Sequence, residues 1–251
     1  MRDERVLAHC NLFGVFGAIP TLLTLDEDAA ALVRGKKISV GFAIKDGPRA
    51  TLAFSDGKAE MREGVDGCSI KLYFPSCKKF NDMIDGKGSP LPVSGWWHVG
   101  FLLGAFVKLT DILSAYLRPE PARLEDPTFF ERSTVLMLHV IAGAVAEVGN
   151  VDKVGSFSAS NIVDGVIRVA IGDSFAIGVR AEGHRLTALH EDPVESFSEM
   201  RFADLATARD LFDGRINAVA AVGEGKVRIG GMISQVDNLN RILDRVSLYL
   251  A

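Results

Sequence analysis

The chain is poor in the features that mark several large protein classes. It has no basic excess: 28 lysines and arginines face 32 aspartates and glutamates, a net charge of −4 with a pI near 5.8. Phosphate backbones are bound by positive faces, so nucleic acid is not an expected partner. Cysteine is scarce. Cys10, Cys68 and Cys77 are odd in number and form no Cys-x-x-Cys pair, which builds no disulfide framework and fits a reducing, cytoplasmic compartment. The five histidines are dispersed. Only His184 and His190, beside Glu191 and Asp192, approach a ligand-like spacing, and a solvated loop without metal is the expectation there. No Gly-x-Ser-x-Gly elbow, His-Glu-x-x-His helix or Walker loop occurs. Gly223-Glu-Gly225 precedes a strand pattern rather than a helix, so it is no dinucleotide turn. Asp82 with Asp85, and Asp210 with Asp213, are carboxylates three apart. They sit at a predicted helix C-terminus, where the dipole disfavours anions, and solvent-facing positions are expected. No catalytic residue, metal or cofactor is assigned.

Apolar residues are abundant instead, at 48% against 24% charged, with mean hydropathy +0.19. That composition excludes a disordered chain. Residues 6–25 and 88–107 carry no charge at all. Either stretch is long enough to span a bilayer, but Gly14, Gly17 and Pro20 interrupt the first and Pro90, Pro92 and Gly95 the second. A membrane-spanning helix is not the expectation for either. No secretory leader is read at the N-terminus, where Asp3 and Glu4 offset Arg2 and Arg5.

The chain reads as a duplication. Residues 71–87 and 199–215 align with Phe74 on Phe202, Asp82 on Asp210 and Asp85-Gly86 on Asp213-Gly214, an offset of 128. Ile38 and Val40 face Ile167 and Val169, Gly95 and Gly100 face Gly225 and Gly230, and Leu109 faces Leu239, with offsets between 126 and 130. The segment 118–127 holds three prolines and five charges and reads as an extended linker. The predicted units are 1–120 and 121–251, each long enough for its own core.

Each unit opens with an apolar helix, over 4–19 and 127–148. Period-two alternation then predicts strands at 38–44, 50–54 and 70–74, separated by the turn signals Lys45-Asp-Gly-Pro48 and Ser55-Asp-Gly57. Ser76 and Asp204 are placed to cap the next helix, and Gly86 and Gly214 to end it. Short strands are predicted at 96–99 and 226–229, then a terminal helix. In the second unit Met232, Val236, Leu239, Leu243, Val246 and Leu250 mark one face of it. The first unit's counterpart, from Phe101 to Leu117, is apolar nearly all round. Its inner face would take Leu103, Phe106, Leu109, Leu113 and Tyr116, leaving Phe101, Val107, Ile112 and Leu117 on the other side. Its second side needs cover, expected first from the other unit through the equally apolar opening helices, and otherwise from a second chain or a membrane surface.

This order, and above all Phe202-Ala-Asp-Leu-Ala-Thr-Ala-Arg-Asp-Leu-Phe-Asp-Gly-Arg215 followed by Glu224-Gly-Lys-Val-Arg-Ile-Gly230, resembles the sterol carrier protein 2 (SCP-2) family over about 200 of the 251 residues. Gly95-Trp-Trp-His-Val-Gly100 departs from its Gly-Lys-Leu-x-Ile-x-Gly pattern, which makes the first unit the divergent one. Asp173-Ser-Phe-Ala also lacks the hairpin's Asp-Gly turn. The resemblance implies an α+β fold: two SCP-2-like units, each a five-stranded, mostly antiparallel sheet covered by helices.

It also implies non-catalytic binding or transfer of a sterol, fatty acyl chain or other lipid in an apolar cavity between sheet and helices. Such cavities bind by apolar burial with few polar anchors. The lining expected from it is Phe202, Leu211, Phe212, Val227, Ile229, Met232, Val236 and Leu239 in the second unit. In the first it is Phe42, Phe54, Leu72, Phe106 and Trp97, with Trp96 or Trp97 facing inward. An apolar void is expected in the second unit. The alternative is an enzyme or accessory subunit acting on a lipid-like substrate such as a sterol, acyl thioester or isoprenoid quinone. The expected partner is a hydrophobic small molecule or lipid; transient membrane contact and a homodimer are the further partner expectations.

Overall fold

Pro20 has no N–H to give to the preceding turn, and the first helix shows the effect. In this computed structural model the helical rod Glu4–Leu25 (α1) passes through a π turn at Cys10–Val15 and a 3-10 turn at Phe16–Ala18 before resuming at Ile19–Leu25. The structure describes residues 2–250 apart from Ser89 and Leu91. Met1 and Ala251, the outer ends of the expected units, and Ser89 and Leu91 of the charge-free stretch lie outside the described residues. The chain divides into two compact units, Met1–Leu124 and Glu125–Ala251.

In the first unit α1 is followed by α2 (Glu27–Val33), whose N-cap Asp26 accepts from the Ala29 amide at 2.8 Å. Then come β1 (Lys37–Ile44), β2 (Arg49–Ser55), β3 (Lys58–Glu63) and β4 (Ile70–Phe74). Asp46 and Asp56 hold the turns with positive φ, a conformation aspartate tolerates. Next are α3 (Cys77–Ile84), capped by Ser76, the short β5 (Pro92–Ser94) and the terminal helix α4 (Trp96–Leu117). Cover is needed on both faces of β1, which is buried from Ile38 onward. Part of it comes from the crossover to β4, since a Cβ at Gly41 would press on Cys68 and Val65.

The second unit repeats the order with one added helix, Ala218–Gly223. α5 (Pro127–Val151) and α6 (Lys153–Ala159) precede β6 (Gly165–Ile171), β7 (Phe175–Glu182), β8 (Arg185–Leu189) and β9 (Ser198–Phe202). α7 (Leu205–Phe212), α8 (Ala218–Gly223), β10 (Val227–Gly231) and α9 (Ile233–Leu250) complete it. The sheet orders are β3-β2-β1-β4-β5 and β8-β7-β6-β9-β10. In each sheet the central pair, β1 with β4 and β6 with β9, is parallel and the flanking pairs are antiparallel. Both sheets are therefore mixed, which corrects the mostly antiparallel expectation. The third strand of each unit sits on one edge, so the chain must cross to the far side of the central strand and enters in the same direction.

Two expected elements are different. Trp96–His98 is a 3-10 turn that starts α4, not a strand; the edge strand lies earlier, at Pro92–Ser94. The reason is Gly95, at φ 82, which turns the chain off the sheet. A Cβ there would drive into the Ser69 carbonyl, as one at Gly231 would into that of Phe197. Gly95 thus occupies the place of Gly231, not of Gly225. The linker also contains a 3-10 turn, Pro121–Glu125, rather than being extended throughout.

The terminal helices match at an offset of 133, not 130. Leu102, Phe106, Leu109, Leu113 and Tyr116 are buried, as are Gln235, Leu239, Ile242, Val246 and Tyr249. Leu103, expected on the inner face, is exposed instead, because the π turn at Leu102–Phe106 shifts the inward position to Leu102. Each ends on the same device. The Tyr116 hydroxyl donates to Asp26 at 2.7 Å and the Tyr249 hydroxyl to Asp152 at 2.6 Å. Asp26 and Asp152 both cap the short helix before the sheet.

Candidate apolar-ligand site

Between the sheet and helices of the first unit lies a cluster of phenylalanines. Alternation along β1, β2 and β4 sends Phe42, Phe54, Leu72 and Phe74 to the helix side. α1 supplies Phe16, α3 supplies Phe80, and α4 supplies Phe101 and Phe106. Phe42 lies 5.2 Å from Phe16, 6.2 Å from Phe80 and 6.3 Å from Phe106, ring centre to ring centre. Phe54 lies 5.6 Å from Phe101 and 6.4 Å from Phe106, both edge-on. Such edge-to-face pairs are favourable beyond their area.

α4 is held differently from its counterpart. Its nearest backbone neighbour is α2, whereas α9 lies directly against α5 and α6. Long side chains fill the distance between α4 and the sheet. Phe101, half-buried, stands at the end of this filling. It also lines a surface depression of about 290 Å³, with Lys36, Lys37, Ile38, Trp97, His98 and Gly100. One ring therefore separates the open depression from the interior cluster.

The residues expected to line a cavity fall into three groups. Phe42, Phe54, Leu72 and Phe106 come together in the cluster just described. Phe202, Val227, Val236 and Leu239 are likewise buried, with Phe202 edge-on to half-buried Phe212 at 5.6 Å; Leu211 is also half-buried. Trp97, Ile229 and Met232 are exposed, at 81%, 41% and 42%. Trp97 follows the Gly95 turn into the helical start of α4, so it faces out. Ile229 faces the same side of β10 as Val227, but near the end of an edge strand where the helices leave it open. The larger depression in the second unit, about 520 Å³, is lined by Ile229 together with Phe197, Glu199, Arg201 and Arg228, but not by Phe202, Met232 or Val236.

The paired carboxylates are all neutralised. Asp82 bonds Lys78 at 2.7 Å, which lowers its pKa; Asp85 faces Lys87 and Arg118. Asp210 pairs with Arg215, and Asp213 with Arg209 and Arg215. Among the described residues no group of three or more His, Cys, Asp or Glu is placed to hold a metal.

His190 does not join His184. It stacks on His139 of α5, with ring centres 5.3 Å apart and Nδ1 to Nδ1 at 3.1 Å. Burial and the neighbouring ring hold His139 down to about 4. Burial lowers His190 as well. Only one of two facing Nδ1 atoms can carry the shared proton, so the contact excludes the doubly protonated pair, and burial disfavours charge on either ring. Sequence offers no signal for it, because 51 residues separate the partners.

No family model matches the chain, and no curated protein matches it in sequence. Among solved structures it is similar to a protein titled "UbiJ-SCP2 Ubiquinone synthesis protein", at 17% identity over 43% of this chain and 96% of that one, TM-score 0.34. It is also similar to sterol carrier protein domain 2 of Helicoverpa armigera, at 13% identity over 45% and 88%, TM-score 0.36. A structure titled "Crystal structure of sterol carrier protein 2" matches at 18% identity over 44% and 92%, TM-score 0.34.

Proposed function

We propose that the chain is a tandem pair of SCP-2-like units and that the first unit binds a hydrophobic small molecule between its sheet and α4. The observation that carries this is Phe101, which lines the open depression on one side and touches Phe54 and Phe106 on the other. Turning that ring aside joins the depression to the space filled by the cluster. A sterol, fatty acyl chain or other lipid could displace rings there at little cost, since apolar burial is exchanged for apolar burial at about 25 cal/mol per Å². The first unit is the better candidate because α4 is spaced from the sheet by side chains, whereas α9 is seated on its neighbours. Binding without chemistry fits the ion-paired state of the candidate carboxylates.

The test is loading of the purified full chain. Native mass spectrometry before and after organic extraction, with a fluorescent fatty acid as probe, should show one apolar ligand. Phe101→Ala should speed its uptake and Phe42→Ala should weaken its retention. If neither the wild type nor Phe101→Ala carries or takes up an apolar molecule, the reading is wrong.

A further inference from the structure

The first half of α4 carries apolar side chains on both sides. Leu102 and Phe106 face inward, yet Trp96, Trp97, Val99, Leu103 and Val107 are exposed, Leu103 at 74%. Trp96, Val99, Leu103 and Val107 recur at the three-to-four spacing that forms one outward stripe, and Trp97 stands beside its start. The stripe stops at Lys108; beyond it Lys108, Asp111 and Ser114 are the exposed positions. Among the described residues three helices are long and apolar enough to cross a membrane, and α4 is the one whose apolar window lies mostly outside the core, 28% buried against 72% in the other two. It does not cross one here, because Leu109, Leu113 and Tyr116 of the same helix are packed into the unit.

Charge borders the stripe on one side. Lys36 and Lys37 share the depression with Trp97. Lys58 lies at the same end of the sheet, since Lys37 pairs with Ser55 and Ser55 with Lys58. Asp56 is in the adjoining turn, bonded to the Gly35 amide. A second copy docked symmetrically through this stripe would bring these lysines toward their own images. An anionic lipid surface, by contrast, complements them. Tryptophan is the residue that settles at the boundary between headgroups and chains, and two stand side by side where the stripe begins.

We infer that residues 96–107 are an interfacial docking helix for anionic lipid membranes. Trp96, Trp97, Leu103 and Val107 enter the headgroup boundary while Lys36 and Lys37 face the headgroups. The inference stands without the ligand reading and fails separately from it, because it is read on vesicles rather than on ligand occupancy.

Trp96 and Trp97 are the chain's two tryptophans, so intrinsic fluorescence reports this patch alone. Vesicles of phosphatidylcholine with phosphatidylserine should shift the emission to the blue, and brominated acyl chains should quench it. Pure phosphatidylcholine should act weakly. Lys36→Gln and Lys37→Gln should each lower partitioning roughly fivefold at low salt. Leu103→Asp should abolish it, and Val107→Asp should weaken it, with thermal melting unchanged because both positions are exposed. No shift or quenching with any vesicle overturns the proposal. So does emission already blue-shifted without lipid in a dimer measured by light scattering, which would mean a second copy covers the stripe.

Discussion

Protonating the buried His139 should destabilise the second unit, and the size of the effect can be worked out. The ring is held down to about 4 in the fold, against 6.5 when free. Between those values the unfolded chain binds a proton that the folded chain refuses. Stability is therefore full above about pH 6.5, falls as pH drops through that window and levels off below 4. At about 1.4 kcal/mol per pH unit the whole loss is about 3 kcal/mol, of which about 2 kcal/mol falls between pH 7 and 5. The assay is denaturant unfolding at both pH values, read by hydrogen exchange in α5 so that the two units are resolved. His139→Leu should flatten the dependence by that amount, with other titrations cancelling in the comparison. His190→Ala should keep most of it, because burial of His139 outweighs the neighbouring ring. NMR titration of the His139 ring gives the direct value. A midpoint above 6, or equal pH dependence in wild type and His139→Leu, would refute the reasoning.

Asp152 gathers two amides of α6, Arg245 and the Tyr249 hydroxyl. Burial pushes its carboxyl up, but these bonds outweigh it and bring the pKa down to about 2. Asp152→Ala should cost at least about 2 kcal/mol in chemical denaturation, and Tyr249→Phe about 1 kcal/mol. The carboxylate's share is present above about pH 3.8 and is lost as pH falls toward 2, so acid unfolding of Asp152→Asn should lack that part. Gly231→Ala should be strongly destabilising or prevent folding, since φ is 79 and the new methyl strikes the Phe197 carbonyl. Gly214→Ala, at φ 69 with open space, should cost only about 1 kcal/mol in thermal melts.

By itself the sequence determined the elements whose causes are local. Alternation placed β1, β2 and β4. Ser76 and Asp204 marked helix starts, and the Asp-Gly pairs 85–86 and 213–214 marked helix ends, because caps and turns depend on neighbours within four residues. The shared order of elements was legible in the 128-residue offset, as the two identical strand orders reflect. What only the tertiary structure decided depends on contacts far apart in the chain. The approach of Gly95 to Ser69, across 26 residues, makes residues 96–98 a helical turn and puts Trp97 outside. Core and cavity lining have the same composition, so no pattern could show that Phe42, Phe54 and Phe106 fill the space between sheet and α4. The Asp26–Tyr116 and Asp152–Tyr249 bonds span 90 and 97 residues. They set the register of the terminal helices at 133, where apolar spacing alone allowed a neighbouring turn. The His139–His190 pair is of the same kind: two scattered histidines that acquire a shared proton only when a helix and a strand end are folded against each other.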